Sequence, residues 1–271
     1  MLTVNNLSIS FTRYGRWLSR RVLHPIKSLD LDVPAGEVTA VVGESGAGKS
    51  LLAHAVLGLL PANARIGDSI RFNGEPLTRS KAVAFRGKRI ALIPQSVAFL
   101  NPLRQVGNQV RRAAVLSGRD KTAAATRTAA AFRRYGLDPR VDRQFPFELS
   151  GGMARRVLTA AAVVGNAELI IADEPTTGLD TTCIERSLSH LKRLADQGKA
   201  VLLITHDIGA AIRIADRVAV FKDGKTLAVE KAENFKAPER LSHPYARQLF
   251  YALPENGFTL QDETVEEVRC A

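Results

Sequence analysis

The segment Gly43-Glu44-Ser45-Gly46-Ala47-Gly48-Lys49-Ser50 constrains this chain more than any other, because it directly follows the unbroken apolar run Val38 to Val42. A short apolar run bounded by glycine reads as a buried strand. Leu51, Leu52, Ala55, Val56 and Leu59 then recur at helical spacing, so a helix should begin near Lys49. Strand, glycine turn and helix in that order is the building unit of an α/β domain. The turn itself has the spacing Gly-x-x-x-x-Gly-Lys-Ser. Its glycines leave room for backbone N–H groups to converge on an anion and allow dihedrals that other residues resist. The helix start adds partial positive charge beneath that anion. In such a loop Lys49 reaches the β- and γ-phosphates of a nucleotide and the Ser50 hydroxyl ligates Mg²⁺. The candidate phosphate-binding residues are therefore Gly43, Glu44, Ser45, Gly46, Ala47, Gly48, Lys49, Ser50 and Leu51.

A second apolar run, Leu169 to Ala172, ends in the paired carboxylates Asp173-Glu174. In α/β sheets such strand ends open onto a ligand crevice. Asp-Glu-Pro alone is an ordinary turn sequence. Downstream of a phosphate loop it reads differently: Asp173 holds Mg²⁺ and Glu174 polarises an attacking water. A third apolar run, Val201 to Ile204, leads into Thr205-His206-Asp207. A lone histidine at a strand end is often only a polar cap, and its meaning depends on the company it keeps.

Four further strings set that context. Leu149-Ser150-Gly151-Gly152 resembles the signature sequence of ATP-binding cassette (ABC) ATPases, and it lies between the phosphate loop and the Asp-Glu strand as in that family. Gln95 in Ile93-Pro94-Gln95 is similar to the family's Q-loop glutamine, which senses γ-phosphate and Mg²⁺. Asp180 in Thr177-Gly178-Leu179-Asp180 matches the D-loop, and His206 matches the switch histidine that contacts γ-phosphate. The resemblance spans about residues 2 to 250. It implies an α/β fold: an ABC ATPase nucleotide-binding domain with a phosphate-loop core, an antiparallel β subdomain and an α-helical lobe. It also implies ATP and Mg²⁺ as cofactors, and catalytic roles for Glu174, His206 and Gln95. Mg²⁺ would be held by Ser50, Gln95 and Asp173.

The signature has a physical logic of its own. Ser150, Gly151 and Gly152 precede the helical stretch Ala154 to Val164, which makes a second helix N-terminus and a second anion site. In the family this site faces the nucleotide of a partner subunit, so one cassette alone cannot complete its site. Where the family signature ends in Gln, Met153 stands here. The aromatic that stacks on adenine is Phe11, Tyr14 or Trp17, of which Phe11 is the choice made from its place after the strand Leu7 to Ser10.

At 271 residues the chain suits one large α/β domain and is too short for two cassettes. No apolar run approaches the roughly 20 residues that span a bilayer. The N-terminus lacks a basic-then-apolar leader pattern. The chain is therefore expected at the cytoplasmic face of the membrane, with any spanning part in another polypeptide. Cys183 and Cys270 imply no disulfide framework, and the five histidines show no metal-binding spacing. Cys183 reads as a small buried filler. The net charge of +11 comes from clusters at Arg13 to Lys27, Arg79 to Arg89 and Arg104 to Arg134. These read first as solvated helical faces, then as proximity to anionic lipid, and last as a nucleic-acid surface. No specific nucleic acid is expected.

The cassette is expected over residues 1–250, with the helical lobe at about 96–160 and an acidic tail at 251–271. Ala123 to Phe132 is the lobe's clearest helix, and Asp223-Gly224 signals a hairpin. Three short strings narrow the class. Phe99-Leu100-Asn101-Pro102-Leu103, Leu57-Gly58-Leu59-Leu60-Pro61 and Leu241-Ser242-His243-Pro244-Tyr245 resemble importers of the peptide/nickel group. The tail lacks the clustered cysteines of many peptide-type members, and Gly151-Gly152-Met153 resembles nickel-type subunits. The reading is therefore an importer ATPase for nickel or a metal chelate, with di- or oligopeptides as the alternative. A non-transport ABC ATPase acting on nucleic acid ranks third. The implied partners are two membrane-spanning permeases, a second and different ATP-binding subunit that makes a heterodimer, and an extracytoplasmic solute-binding protein.

Overall fold

The computed structural model describes residues 1–14, 20–67, 70–253 and 256. The expectations for Trp17, Cys270 and most of the acidic tail lie outside the described residues. The N-terminal part is antiparallel: β1 (Leu2–Tyr14) pairs with β2 (Arg20–Val33), with β4 (Ala64–Ile66) and with β5 (Ile70–Phe72), which in turn pairs with β6 (Glu75–Pro76). Alternation carries this layer. Leu2, Val4, Leu7 and Ile9 are buried, and they face Ile26, Leu29, Leu31 and Val33 across the pair. The basic stretch Arg13 to Lys27 thus falls largely on strands. Among its described residues Arg13, Arg21 and Lys27 are exposed on strands, not on a helix as its composition suggested.

The parallel layer runs in the spatial order β10 (Arg217–Lys222), β3 (Val38–Gly43), β9 (Ala200–Ile204), β8 (Leu169–Asp173), β7 (Ile90–Ile93). β11 (Lys225–Lys231) closes a hairpin with β10 and meets β2, joining the two layers into one sheet. Every residue of β3, β8 and β9 is buried, as expected of strands covered on both faces. One face packs α1 (Lys49–Val56) and the inner side of the antiparallel layer. The other packs α6 (Thr181–Asp196), α7 (Ile208–Ile214) and α8 (Pro244–Tyr251). Each fully buried aliphatic side chain contributes ~1.5–3 kcal/mol, so this double covering is the main source of cohesion.

Register aligns the functional strand ends. Val41 of β3 lies beside Ile204 of β9, and Ile204 lies beside Asp173 of β8. The residues that follow each strand therefore emerge at one edge of the sheet. The crossover from β7 to β8 is a helical lobe with a separate core: α3 (Val106–Leu116), α4 (Lys121–Arg134) and α5 (Gly151–Val163) pack around Leu100, Val110, Phe132, Val141 and Val157. A short helix, α2 (Arg79–Phe85), precedes β7. Among the described residues no helix is long and apolar enough to cross a membrane. Cys183 differs from its reading as a buried filler. It is half-exposed in the first turn of α6, where the Asp180 side chain caps the helix.

Candidate nucleotide-binding and hydrolysis site

The glycine loop between β3 and α1 is shaped by two close approaches. Gly43 lies beside Phe221 of β10 with φ 148°, and a Cβ there would stand 2.0 Å from the Phe221 carbonyl oxygen. Gly48 caps α1 at φ 100°, with Ile26 of β2 2.9 Å from where a Cβ would be. No other residue type adopts both the dihedrals and the space. Lys49, almost fully buried, donates from Nζ to the carbonyls of Gly43 at 2.6 Å and Glu44 at 2.9 Å. The loop is thus held open by its own lysine. Burial pulls that ammonium below its ordinary range, against the opposing pull of Glu174, Asp173 and Glu44.

The carboxylates meet this loop from β8. Ser50 Oγ donates to Asp173 Oδ1 at 3.3 Å. Burial pushes the Asp173 carboxyl above its usual range, the Ser50 hydroxyl opposes this, and the Glu174 charge adds to it. A cation at that point would remove the cost of the buried charge. The hydroxyl and carboxylate oxygens are hard donors that suit Mg²⁺, a metal that keeps waters and phosphate oxygens for its remaining positions. The residues present therefore fit Mg²⁺.

Glu174 stands in a strained backbone state, φ 49°, a value uncommon for a side chain of its type. Its N–H donates to the Ile204 carbonyl at 2.8 Å, which ties the turn to β9. Its Oε1 lies 2.8 Å from His206 Nδ1, while Thr177 and Thr205 hydroxyls donate to Oε2 at 3.4 and 3.5 Å. Glu174 is buried, whereas the His206 side chain is 65% exposed. Strand register, a strained turn and three polar neighbours thus aim one carboxylate at the mouth of the phosphate loop.

Other sequence-predicted residues sit apart. Gln95 is exposed at the end of β7, and its side chain is not within hydrogen-bonding distance of Ser50 or Asp173. Its backbone carbonyl instead accepts from Arg155 at 3.0 Å. Ser150 caps α5 through Met153 N–H at 3.3 Å, and Gly151 is exposed on the first turn. Gly152 lies near Leu179 of the turn before α6. Neither Ser150, Gly151 nor Gly152 bonds to the phosphate loop among the described residues. Phe11 is half-buried on β1, opposite Leu23 and Ala64. Asp180 caps α6 through Cys183 N–H at 2.9 Å.

Residues 26–177 match the family described as ABC transporter. The chain belongs to the ABC transporter family. This cassette is 36% identical to the oligopeptide transport ATP-binding protein OppD of Lactococcus lactis subsp. cremoris, over 97% of this chain and 78% of that relative. It is 35% identical to the dipeptide transport ATP-binding protein DppD of Bacillus subtilis, over 94% of this chain and 77% of that relative. A solved dimeric ATP-binding cassette in a post-hydrolysis state, bound to ADP and Pi, superposes with a TM-score of 0.75 at 25% identity, covering 86% of this chain and 99% of that one. The fold is the ABC ATPase nucleotide-binding domain, and the cassette is an ABC ATPase.

These relatives correct the solute reading: nickel or a metal chelate is not supported, and the peptide alternative is. The physical reason lies in where Met153 sits. It packs half-buried against the helical-lobe core, so its identity reports lobe packing and not the solute.

Two contacts went unread in the sequence. Arg155, two residues past the signature methionine, donates to the carbonyls of both Glu174 and Gln95 at 3.0 Å. Tyr245 of α8 donates its hydroxyl to Glu44 Oε1 in the phosphate loop at 2.7 Å, with Lys222 4.2 Å from its ring. The string Leu241 to Tyr245 flagged this tail, but nothing local to it indicated its partner 201 positions away.

Proposed function

We propose that this cassette hydrolyses ATP to energise import of di- or oligopeptides. Its likeness over nearly its whole length to oligopeptide and dipeptide transport ATP-binding proteins carries that reading. Lys49 leaves the Gly43 and Glu44 carbonyls for the β- and γ-phosphates, and the N–H groups of Gly43 to Leu51 cradle them. Ser50 and Asp173 would hold Mg²⁺, with Gln95 as a third oxygen donor; when bound, the ion neutralises phosphate charge. Glu174 takes the proton of the attacking water, and His206 fixes the carboxylate while its exposed ring faces the γ-phosphate. Phe11 stacks on adenine.

Ser150, Gly151 and Gly152 make no hydrogen bond to their own phosphate loop among the described residues, and their helix start acts on the nucleotide of a second cassette, with Asp180 beside that interface. The solved dimer of a similar cassette supports this pairing. Two membrane-spanning permeases and an extracytoplasmic solute-binding protein complete the transporter, and the cassette sits at the cytoplasmic membrane face. The permease contact is the segment after Gln95. Phe99 is 63% and Leu103 84% exposed. Phe99 borders an apolar cavity of 260 Å³ between Leu59, Leu92, Leu158 and Ala162.

Deleting the gene should abolish uptake of labelled tripeptides and leave nickel accumulation intact. Normal peptide uptake with lost nickel accumulation would overturn the assignment. Phe99→Asp should uncouple: transport falls while nucleotide affinity stays.

A further inference from the structure

A cavity of 240 Å³ lies between the helical lobe and α6, away from the phosphate loop. Six arginines line it from three sides: Arg133 and Arg134 at the end of α4, Arg155 and Arg156 on α5, Arg186 and Arg193 on α6. None of the six forms a salt bridge among the described residues. Arg155 and Arg156 donate to backbone carbonyls, the latter to those of Gly152, Tyr135 and Gly136. Arg133, Arg134, Arg186 and Arg193 make no side-chain hydrogen bond among the described residues, so their charges face the cavity or solvent uncompensated.

Two polar side chains in the wall are orphaned. His190 is 2% exposed and neither ring nitrogen has a partner, and the buried Tyr135 hydroxyl has none. Their rings meet edge to face at 4.9 Å. Buried polar atoms without partners are rare and point to a missing one. A concentration of like charge with no carboxylate is also costly for the fold alone. Guanidinium forks bind phosphate oxygens in two-point fashion better than any other side chain.

We propose that this cavity is a second ligand site, for a small multiply charged phosphate compound. The oxyanion lies among the guanidinium groups and accepts hydrogen bonds from Tyr135 and from one His190 N–H. Burial, with Arg134 and Arg193 nearby, pulls the His190 pKa down to about 4, so the ring meets the anion neutral and with a single N–H. The walls come from two bodies. α4 and α5 belong to the lobe, while α6 follows its cap Asp180 and packs on the central sheet. A bound anion would cancel the repulsion across that boundary and hold the signature helix against the core, so the site is placed to regulate the lobe's movement.

The test is binding, independent of turnover and solute. The full chain, with its phosphate loop saturated by Mg²⁺ and a non-hydrolysable ATP analogue, is titrated with pyrophosphate by calorimetry. One further equivalent should bind. The double variant Arg134→Ala/Arg193→Ala changes two exposed side chains, and should bind it about tenfold more weakly with unchanged affinity for the analogue. The His190 ring resonances should shift with pyrophosphate in the native chain, which tests the site without any substitution. No further equivalent, an affinity unaltered by the double variant, or unmoved His190 resonances would overturn the proposal. Binding of phosphatidylglycerol vesicles without binding of pyrophosphate would also overturn it, by assigning the arginines to a lipid surface.

Discussion

The central sheet and the helical lobe solve the problem of cohesion differently. β3, β8 and β9 are buried on both faces, and most of their residues are Val, Leu or Ile. The lobe core relies on small residues: Ala114, Ala124, Ala131, Ala154 and Ala160 sit in it, with Phe132 as its one phenylalanine among the fully buried members. The sheet is covered by two apolar cores and the lobe has one small core of its own, so less apolar contact holds the lobe in place. The functional groups divide along the same line. Lys49, Asp173, Glu174 and His206 are preassembled on the sheet by strand register and short hydrogen bonds. Ser150 and Gly151 are exposed and Gly152 half-buried at a helix start, and none of them bonds to the phosphate loop among the described residues. On the proposed reading, a half-site for chemistry on the sheet is thus joined to a half-site for a partner on the lobe, and an ATPase gated by association needs both.

The comparison breaks if the sheet half is not where chemistry occurs. Glu174→Gln should lower hydrolysis in the assembled transporter by roughly 10²–10⁴-fold, the usual worth of a positioned base. ATP binding should persist, because Lys49, Ser50 and Asp173 remain. Steady-state phosphate release and nucleotide affinity measured side by side decide the matter. Near-normal turnover would remove Glu174 from the mechanism.

A smaller effect is expected at the joint. Arg155 is the side chain that carries the signature helix onto the sheet, through the Glu174 and Gln95 carbonyls at 3.0 Å. Arg155→Ala should slow hydrolysis about tenfold, the value of one or two charge-assisted bonds, with nucleotide affinity in the isolated chain unchanged. Equal loss of affinity and turnover would mean that Arg155 shapes the loop itself, and that lobe and sheet are one rigid body.

This joint also marks the limit of what the sequence discloses. The phosphate loop, the Asp173-Glu174 strand and the helix start after Ser150 are legible because each depends on neighbours in sequence: a glycine turn, an apolar run, small residues ahead of a helical stretch. Arg155 looks like any basic residue on a helical face, since its acceptors lie 19 and 60 positions upstream or downstream and only folding supplies them. The basic stretch Arg13 to Lys27 fails for the reverse reason. Its charges suggested a solvated helix, but pairing with β1, Phe11 opposite Leu23 and Ile9 opposite Ile26, places its described part on strands. Met153 and the tail composition could not report the solute, because neither lies where solute passes.

His190 sharpens the boundary by pH. Its folded-state pKa is about 4, below the ordinary 6.5, with burial the leading cause. The unfolded chain takes up a proton that the folded chain refuses. Stability at that site is therefore intact above pH 6.5 and falls as the pH drops toward 4, by up to about 1.4 kcal/mol per pH unit. Urea midpoints at about pH 7 and about pH 4.5 should differ less in His190→Gln than in the native chain. An identical difference in the two proteins would mean that His190 becomes charged without opening the lobe boundary.

The smallest effect should come from the tail. Tyr245 reaches Glu44 across the whole cassette, so α8 touches the loop that the sheet otherwise shapes alone. Burial and the Glu44 carboxylate both raise the phenol pKa, so the hydroxyl stays a donor at neutral pH. Tyr245→Phe removes one hydrogen bond and leaves the ring stacked beneath Lys222. A single such bond contributes ~0.5–1.5 kcal/mol, and Glu44 is exposed, so the lower end applies. Nucleotide affinity should weaken about two- to threefold, read with a fluorescent ATP analogue, while thermal stability stays nearly constant. A larger loss would place the tail among the elements that order the phosphate loop. No change would mean that the loop is shaped by β3, β10 and Ile26 alone, and that the tail packs there for cohesion.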